Sequence, residues 1–406
     1  MEKKSRYKRK IIKELYFSQV LTCAELCLKT GKSFPLITKL LDELVAEGTV
    51  VETGFAPSKG GRRPLTYALT TDVLYVVSVA MDQFVTRLAI MDMQNNRIVP
   101  DEKLELPLPN NPQALSQLCE KINHLLKTAG IAREKIAGIG IGMPGFVNVR
   151  KGINYSFMPA AGSSITQVIA EDVGLPVFID NDSSLIALAE LRFGAVQTTK
   201  NVMVINISWG IGLGLILNGE LFRGADGFAG EFSHLPLFLN GKLCSCGKHG
   251  CLETEASLLE VIEKAEQGLK EGRLSKLKAL PVEHCEQALE AIIAAAHEGD
   301  QFAVELLSDA GYTIGRGVAV LIHLLNPELI ILSGRGSLAG RLWLAPIQQA
   351  LNEHCIPRLA QGTTIELSTL GYDAELIGAA TLVMENYEKA SLDKSSLVTC
   401  QLNRSA

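Results

Sequence analysis

Apolar and polar positions follow two different periods along this chain, and the change between them falls near residue 70. Before it, the spacing is mostly helical. Ile11, Ile12, Leu15 and Tyr16 share one face and predict a helix over residues 8–18. Thr22 stands as an N-cap ahead of a short second helix, 23–30, closed at Gly31. Ser33 opens a third, with Pro35 in its first turn, where a missing N–H costs nothing. Ile37, Leu40, Leu41, Leu44 and Val45 form its apolar stripe, which stops near Gly48. Residues 49–52 and 65–69 then alternate with period two and predict a hairpin around a basic, glycine-rich tip, Lys59-Gly60-Gly61-Arg62-Arg63-Pro64.

From Tyr75 onward short apolar runs alternate with helical stretches. Residues 75–81 and 87–91 predict a hairpin, 112–129 a helix, and 136–141 a buried strand entering Gly142-Met143-Pro144-Gly145. A strand at 177–179 delivers Asp180-Asn181-Asp182-Ser183 onto a helix ending near Phe193. The strand 202–207 is expected to turn through Gly210-Ile211-Gly212-Leu213-Gly214 into 215–217. Residues 256–325 are mainly helical, 329–332 and 364–368 are strands, and a helix spans 374–387 before a polar tail, 391–406. Alternating strands and helices, with a hairpin opening each half, indicate an α/β body. The expected organisation is a winged helix-turn-helix over 1–70, one lobe from 71–190 plus 374–390, and a second from 191–373.

Two helices joined by about three residues containing a glycine, followed by a hairpin, form a winged helix-turn-helix pattern. In that motif the start of the second helix enters the major groove of double-stranded DNA. Ser33, Phe34, Leu36, Thr38 and Lys39 are the candidate contacts there, and Arg62 and Arg63 of the wing tip are candidates for phosphates or a minor groove. Charge changes the picture in the same direction. Residues 1–64 hold thirteen Lys/Arg against seven Asp/Glu, +6, whereas the remainder carries −11. A basic head on an acidic body points to a polyanionic partner for the head alone.

Length and an apolar content of 47% allow two to three well-filled domains. No apolar run approaches a membrane span, and no signal-peptide core follows the basic N-terminus, so a cytoplasmic protein is expected. Nine scattered cysteines do not suggest a disulfide framework.

The most specific chemistry lies in one loop. His234, Cys244, Cys246 and Cys251 fall within eighteen positions, with glycines at 241, 247 and 250 to let the backbone double back. One imidazole and three thiolates complete a tetrahedral Zn²⁺ shell with no place for an activated water, which makes the expected metal structural. The bland alternative is a loop holding unrelated thiols. His249 is a competing ligand within the loop. Glu231 and Glu253 bracket the cluster.

Met143-Pro144-Gly145, Asn181-Asp182, the glycine run 210–214, Asn218-Gly219-Glu220-Leu221, Gly224-Ala225, Gly230-Glu231-x-x-His234 and the cysteine run ending at Glu253 occur in the order found in the ROK family. The resemblance covers about residues 72–388. With the winged head in front, the whole chain resembles a ROK transcriptional repressor of the xylose or N-acetylglucosamine type. It implies a two-lobed, actin-like (ribonuclease H-like) body and a sugar or sugar-phosphate effector. It also implies a homodimer or homotetramer, because paired heads read paired half-sites. It places Asn181, Asp182, Glu231, His234 and Glu253 at the sugar, His234 holding zinc through one ring nitrogen and facing the sugar with the other. In the family's kinases the carboxylate matched by Asp182 serves as the base.

The nucleotide side departs from that pattern. Kinases of the family carry Asp-x-Gly-Gly-Thr in the first hairpin, so that backbone amides can cradle phosphate. Here the matching stretch is Ala80-Met81-Asp82-Gln83-Phe84. Ser208-Trp209, Leu213 and Arg335 likewise replace small residues. The chain is therefore expected to be no enzyme, with no catalytic residues. The alternatives are an active ATP-dependent sugar kinase with a fused DNA-binding head, and a regulator worked by a protein partner through a vestigial sugar pocket.

Overall fold

The structure is a computed structural model and describes residues 2–57, 63–159, 162–196 and 199–388. It divides into two compact units, Met1–Asp182 with Leu376–Ala406, and Ser183–Glu375.

The first unit opens with α1 (Glu2–Ser18), β1 (Val20–Thr22), α2 (Cys23–Thr30), α3 (Phe34–Ala46), β2 (Val50–Phe55) and β3 (Leu65–Leu69). Helix α1 starts six residues before the expected residue 8 because its polar face is also partnered. Lys4 and Lys8 reach Glu43 of α3 at 2.7 and 3.0 Å, contacts that hydrophobic spacing cannot register. Helix α2 begins in a capping box: the Thr22 hydroxyl accepts the Glu25 amide, and the Glu25 carboxylate accepts the Thr22 amide. It ends at Gly31 in the left-handed region, φ 65°. Ser33 occupies the N-cap of α3 but its side chain makes no capping bond. Ile11, Leu15, Tyr16, Leu26, Ile37, Leu40, Leu41 and Leu44 are buried in the head's core. β3 lies between β1 and β2, antiparallel to both. The three-residue β1 is too short for periodicity to reveal.

The lobe that follows contains β4 (Tyr75–Met81), β5 (Val85–Met91), β6 (Glu102–Glu105), α4 (Ala114–Ala129), β7 (Ile136–Met143), β8 (Val147–Asn148), β9 (Ile153–Asn154), α5 (Ile165–Val173) and β10 (Val177–Asn181). Its sheet has the order β10-β7-β4-β5-β6, antiparallel through β4-β5-β6 and parallel through β4-β7-β10. Val77, Val79, Leu88, Ile90, Ile139 and Ile141 meet Leu118, Ile122 and Ile169 of the helices in one apolar core.

The second unit takes up α6 (Asp182–Phe193) from its second residue. It continues through β11 (Val202–Ile207), β12 (Ile211–Leu217), β13 (Glu220–Phe222), α7 (Glu253–Ala256), α8 (Leu258–Lys270), α9 (Cys285–His297), α10 (Gln301–Leu325), β14 (Leu329–Ser333), α11 (Leu344–His354), α12 (Pro357–Ala360) and β15 (Thr364–Leu367). Its sheet order is β13-β12-β11-β14-β15, with β11-β12-β13 antiparallel and β11-β14-β15 parallel. That is the connectivity of the first sheet repeated, a meander followed by parallel crossovers.

One expectation fails here. The glycine run 210–214 is not the turn: Ile207 pairs with Ile211, so the reversal is made by Ser208, Trp209 and Gly210, and the rest lies within β12. The glycines serve packing. A Cβ on Gly212 would lie 1.9 Å from Ser183 Oγ, and one on Gly214 2.3 Å from Ala187 Cβ, so α6 can settle on β12 only over bare backbone.

Helix α13 (Ala374–Asn386) returns to the first unit and joins its lobe to its head. Lys13 of α1 binds Glu385 at 2.9 Å, Arg6 reaches Glu388 at 3.1 Å, and the Arg9 guanidinium lies over the Tyr387 ring. The tail over 391–406 lies outside the described residues.

Candidate metal centre, ligand carboxylates and DNA-binding head

The four metal-ligand candidates converge. The nearest ring nitrogen of His234 and the sulfurs of Cys244, Cys246 and Cys251 all lie within 4.8 Å of one another. His234 Nδ1 is 3.5 Å from Cys244 Sγ, and Cys246 Sγ is 3.6 Å from Cys251 Sγ. A tetrahedron with bonds of 2.0–2.3 Å has ligand–ligand edges of roughly 3.5–3.8 Å, which these two spacings match. The loop reaches this shape over glycines. Gly250, at φ 74°, has no room for a Cβ, which would lie 1.7 Å from the Phe238 carbonyl oxygen. Cys244 and Cys251 are buried, and Cys246 is exposed. Burial, reinforced by the neighbouring thiols, pushes the Cys251 thiol up to about 12, whereas the Lys248 amide lowers that of Cys246. A cation bound among the three sulfurs would favour their thiolate forms over the thiols that burial favours without it. His249 turns its Nδ1 towards the Gly241 carbonyl oxygen, 3.4 Å away, and is not a member of the cluster.

With Nδ1 directed at the cluster, His234 presents Nε2 to Glu231, 3.9 Å from its carboxylate. Glu253 heads α7, directly after the cysteine run, and accepts the Ile211 amide at 3.4 Å. A Cβ at Gly210 would lie 2.4 Å from the same carboxylate, so a glycine leaves Glu253 its place beside the β11–β12 reversal. Burial raises both carboxyls above the ordinary range; His234 opposes the shift in each, and Glu253 adds to it in Glu231. Glu231, His234 and Glu253 are thus brought together in the second unit as closely spaced acceptors, suited to donating hydroxyls.

Asn181 and Asp182 belong to the first unit. Asn181 ends β10 and donates from Nδ2 to the Gly145 carbonyl oxygen at 3.2 Å, and Asp182 is the first residue of α6.

In the head, Ser33, Phe34 and Lys39 are exposed at the start of α3. Leu36 and Thr38 are only half-exposed, because they flank the buried Ile37, and Thr38 Oγ1 lies 3.5 Å from Cys23 Sγ of α2. Arg63 is exposed at the base of the wing, and Arg62 lies outside the described residues.

Two features of the departed nucleotide side have a physical form that sequence alone did not disclose. Asp82 folds its carboxylate onto its own turn and accepts the Phe84 and Val85 amides, each at 2.7 Å, the kind of donor a phosphate cradle needs free. In the second unit Arg335, 3% exposed, lies between the rings of Trp209 and Tyr372, 4.4 and 4.6 Å from their centroids. It donates to Glu286 at 2.9 Å and to the Tyr372 hydroxyl at 2.6 Å.

A winged head thus precedes a body of two sheets with repeated connectivity and a His/Cys₃ loop beside paired carboxylates. The ROK family profile matches residues 78–386, and the chain belongs to the ROK family. It is similar to the xylose repressor of Caldicellulosiruptor bescii, 28% identical over 397 residues that cover 93% of this chain and 94% of that protein. It is also similar to a glucokinase of Halalkalibacterium halodurans, 34% identical over 268 residues, 65% of this chain and 81% of the enzyme. Among solved structures, a ROK family transcriptional regulator homologous to the E. coli MLC protein superposes with a TM-score of 0.75 at 25% identity, covering 97% of this chain and 99% of that one.

Proposed function

We propose that this protein is a sugar-responsive, DNA-binding transcriptional regulator, acting as a repressor of carbohydrate uptake or catabolism genes. The observation that carries the reading is the joining of a winged head, held by α1 to α13, to a ROK body. Its similarity to a xylose repressor across almost the whole of both chains supports it. Ser33, Phe34, Leu36, Thr38 and Lys39 contact the groove of an operator, and Arg62 and Arg63 lie along its phosphates or in its minor groove. Asn181, Asp182, Glu231, His234 and Glu253 bind the sugar. A zinc ion bound by His234, Cys244, Cys246 and Cys251 has no open coordination position and is structural; its role is to hold Glu231 and Glu253 in place. The working form is a homodimer or homotetramer. Regulation requires that the sugar bind two conformations of the body with different affinity.

The glucokinase relative favours a second reading, an active sugar kinase with an added head. Against it stand the Asp82 carboxylate on the turn amides and the Arg335 side chain between Trp209 and Tyr372. A coupled assay with ATP and a hexose panel separates the two. The regulator reading expects no ADP release above background, and turnover at ordinary enzyme rates overturns it.

A further inference from the structure

In the first unit β8 and β9 form a two-stranded antiparallel ribbon in which Val147 pairs with Asn154. The Tyr155 amide donates to the Phe146 carbonyl oxygen at 2.8 Å, which continues the same register by one pair. Phe146 and Tyr155 therefore stand directly opposite each other on one face of the ribbon. Val147 and Asn154, on the other face, are buried, whereas Phe146 and Tyr155 are 38% and 56% exposed.

This end of the ribbon is held in place. Asn154, 3% exposed, donates to the Pro144 carbonyl oxygen at 2.9 Å and accepts the Ser156 and Phe157 amides at 2.9 and 3.0 Å. The Ser156 hydroxyl accepts the Phe146 amide at 3.0 Å. Gly145, at φ 84°, leaves no space for a Cβ, which would lie 2.6 Å from Ser156. The Gly145 carbonyl in turn accepts from Asn181 at 3.2 Å, which ties the amide side chain to the residue that precedes Phe146.

We propose that Phe146 and Tyr155 form an aromatic platform for the C–H face of a neutral pyranose whose hydroxyls are held by Asn181 and Asp182. The proposal rests on the sugar-binding reading above and narrows it. A pyranose offers one face of axial C–H bonds, which favours an aromatic ring, and a rim of hydroxyls, which favours amides and carboxylates. The platform supplies the first, and Asn181 and Asp182 supply the second. A carboxylate at Asp182 disfavours a phosphate group beside it, so the hydroxyl that it holds is unesterified.

The test is calorimetric titration of the full chain with D-xylose, D-glucose and N-acetyl-D-glucosamine, and with the phosphate esters of the same sugars. At least one neutral sugar binds. Phe146→Ala and Tyr155→Ala each weaken it about tenfold, with melting temperatures unchanged because both rings are exposed. Tyr155→Trp retains affinity within about threefold, and its indole emission shifts on sugar addition. Unchanged affinity in both alanine variants refutes the platform and leaves the sugar reading intact. Binding of phosphate esters alone refutes the neutral-sugar class. Absence of binding by the wild-type chain to every sugar and ester refutes the sugar reading itself.

Discussion

The Tyr16 hydroxyl, on a fully buried side chain of α1, donates to the Asn95 side-chain oxygen at 2.5 Å. Asn95 sits at φ 62° in the turn after β5, where Asp92 accepts the Gln94 and Asn96 amides at 2.8 Å. The hydroxyl is also in hydrogen-bonding contact with Thr381 of α13, and burial raises its pKa, so it remains a donor at any physiological pH. One side chain of the head thereby ties it to a lobe turn and to the returning helix.

Tyr16→Phe keeps the ring and removes the hydroxyl's bonds to Asn95 and Thr381. A buried bond lost in this way costs about 1–2 kcal/mol. Urea denaturation of Tyr16→Phe, Asn95→Ala and the double variant measures it. The losses are expected to be non-additive, and fully additive losses would show that the two side chains are not coupled.

Much of the head was legible because its core repeats at helical spacing and its caps are chemical: Thr22 and Gly31. The Tyr16–Asn95 bond was not, since its partners lie 79 positions apart and neither residue type announces the other. The clustering of His234, Cys244, Cys246 and Cys251 could be read from spacing because thiols and imidazole have few other reasons to gather between glycines. The glycine run 210–214 misled. Glycine in a turn and glycine under a packed helix look alike in sequence, and only the pairing of Ile207 with Ile211 and the approach of Ser183 to Gly212 distinguish them. The aromatic pair Phe146 and Tyr155 went unread, because a two-residue strand carries no period.

The metal centre gives a prediction of composition. Metal analysis of the purified chain finds one zinc per protomer. Cys246→Ser, which alters the one exposed cysteine of the four, lowers zinc content. Loss of structural zinc lowers the melting temperature by on the order of 10 °C. A metal-free wild-type protein with the same melting temperature contradicts the structural-zinc assignment.

Asp82 yields a variant with a paired readout. Asp82→Ala leaves the Phe84 and Val85 amides without their carboxylate and costs about 1 kcal/mol in thermal or urea unfolding. ATP gives no thermal stabilisation of the wild-type chain. Stabilisation of the wild-type chain by millimolar ATP would show that the carboxylate does not keep phosphate out.

Glu190 supplies a pH dependence. Its carboxyl is fully buried in the second unit, accepts the Ser368 hydroxyl, and is raised above 4.5 by burial. A carboxyl raised in the folded state favours folding while it is protonated. That contribution is complete below the unfolded pKa and is lost as pH rises through the folded one. Glu190→Gln is therefore expected to be more stable than wild type at pH 7, with the difference shrinking towards pH 4. Equal stability differences at both pH values would show that the group does not titrate with folding.

The central claim is coupling between a sugar-binding body and a DNA-binding head. Its most direct test is fluorescence anisotropy of the full-length chain on the DNA upstream of its own gene, at fixed salt, with each neutral sugar added in turn. The account predicts sequence-preferring binding that falls at least tenfold with one of the sugars. Binding no tighter than to unrelated DNA, or specific binding that no sugar or sugar phosphate changes, contradicts it.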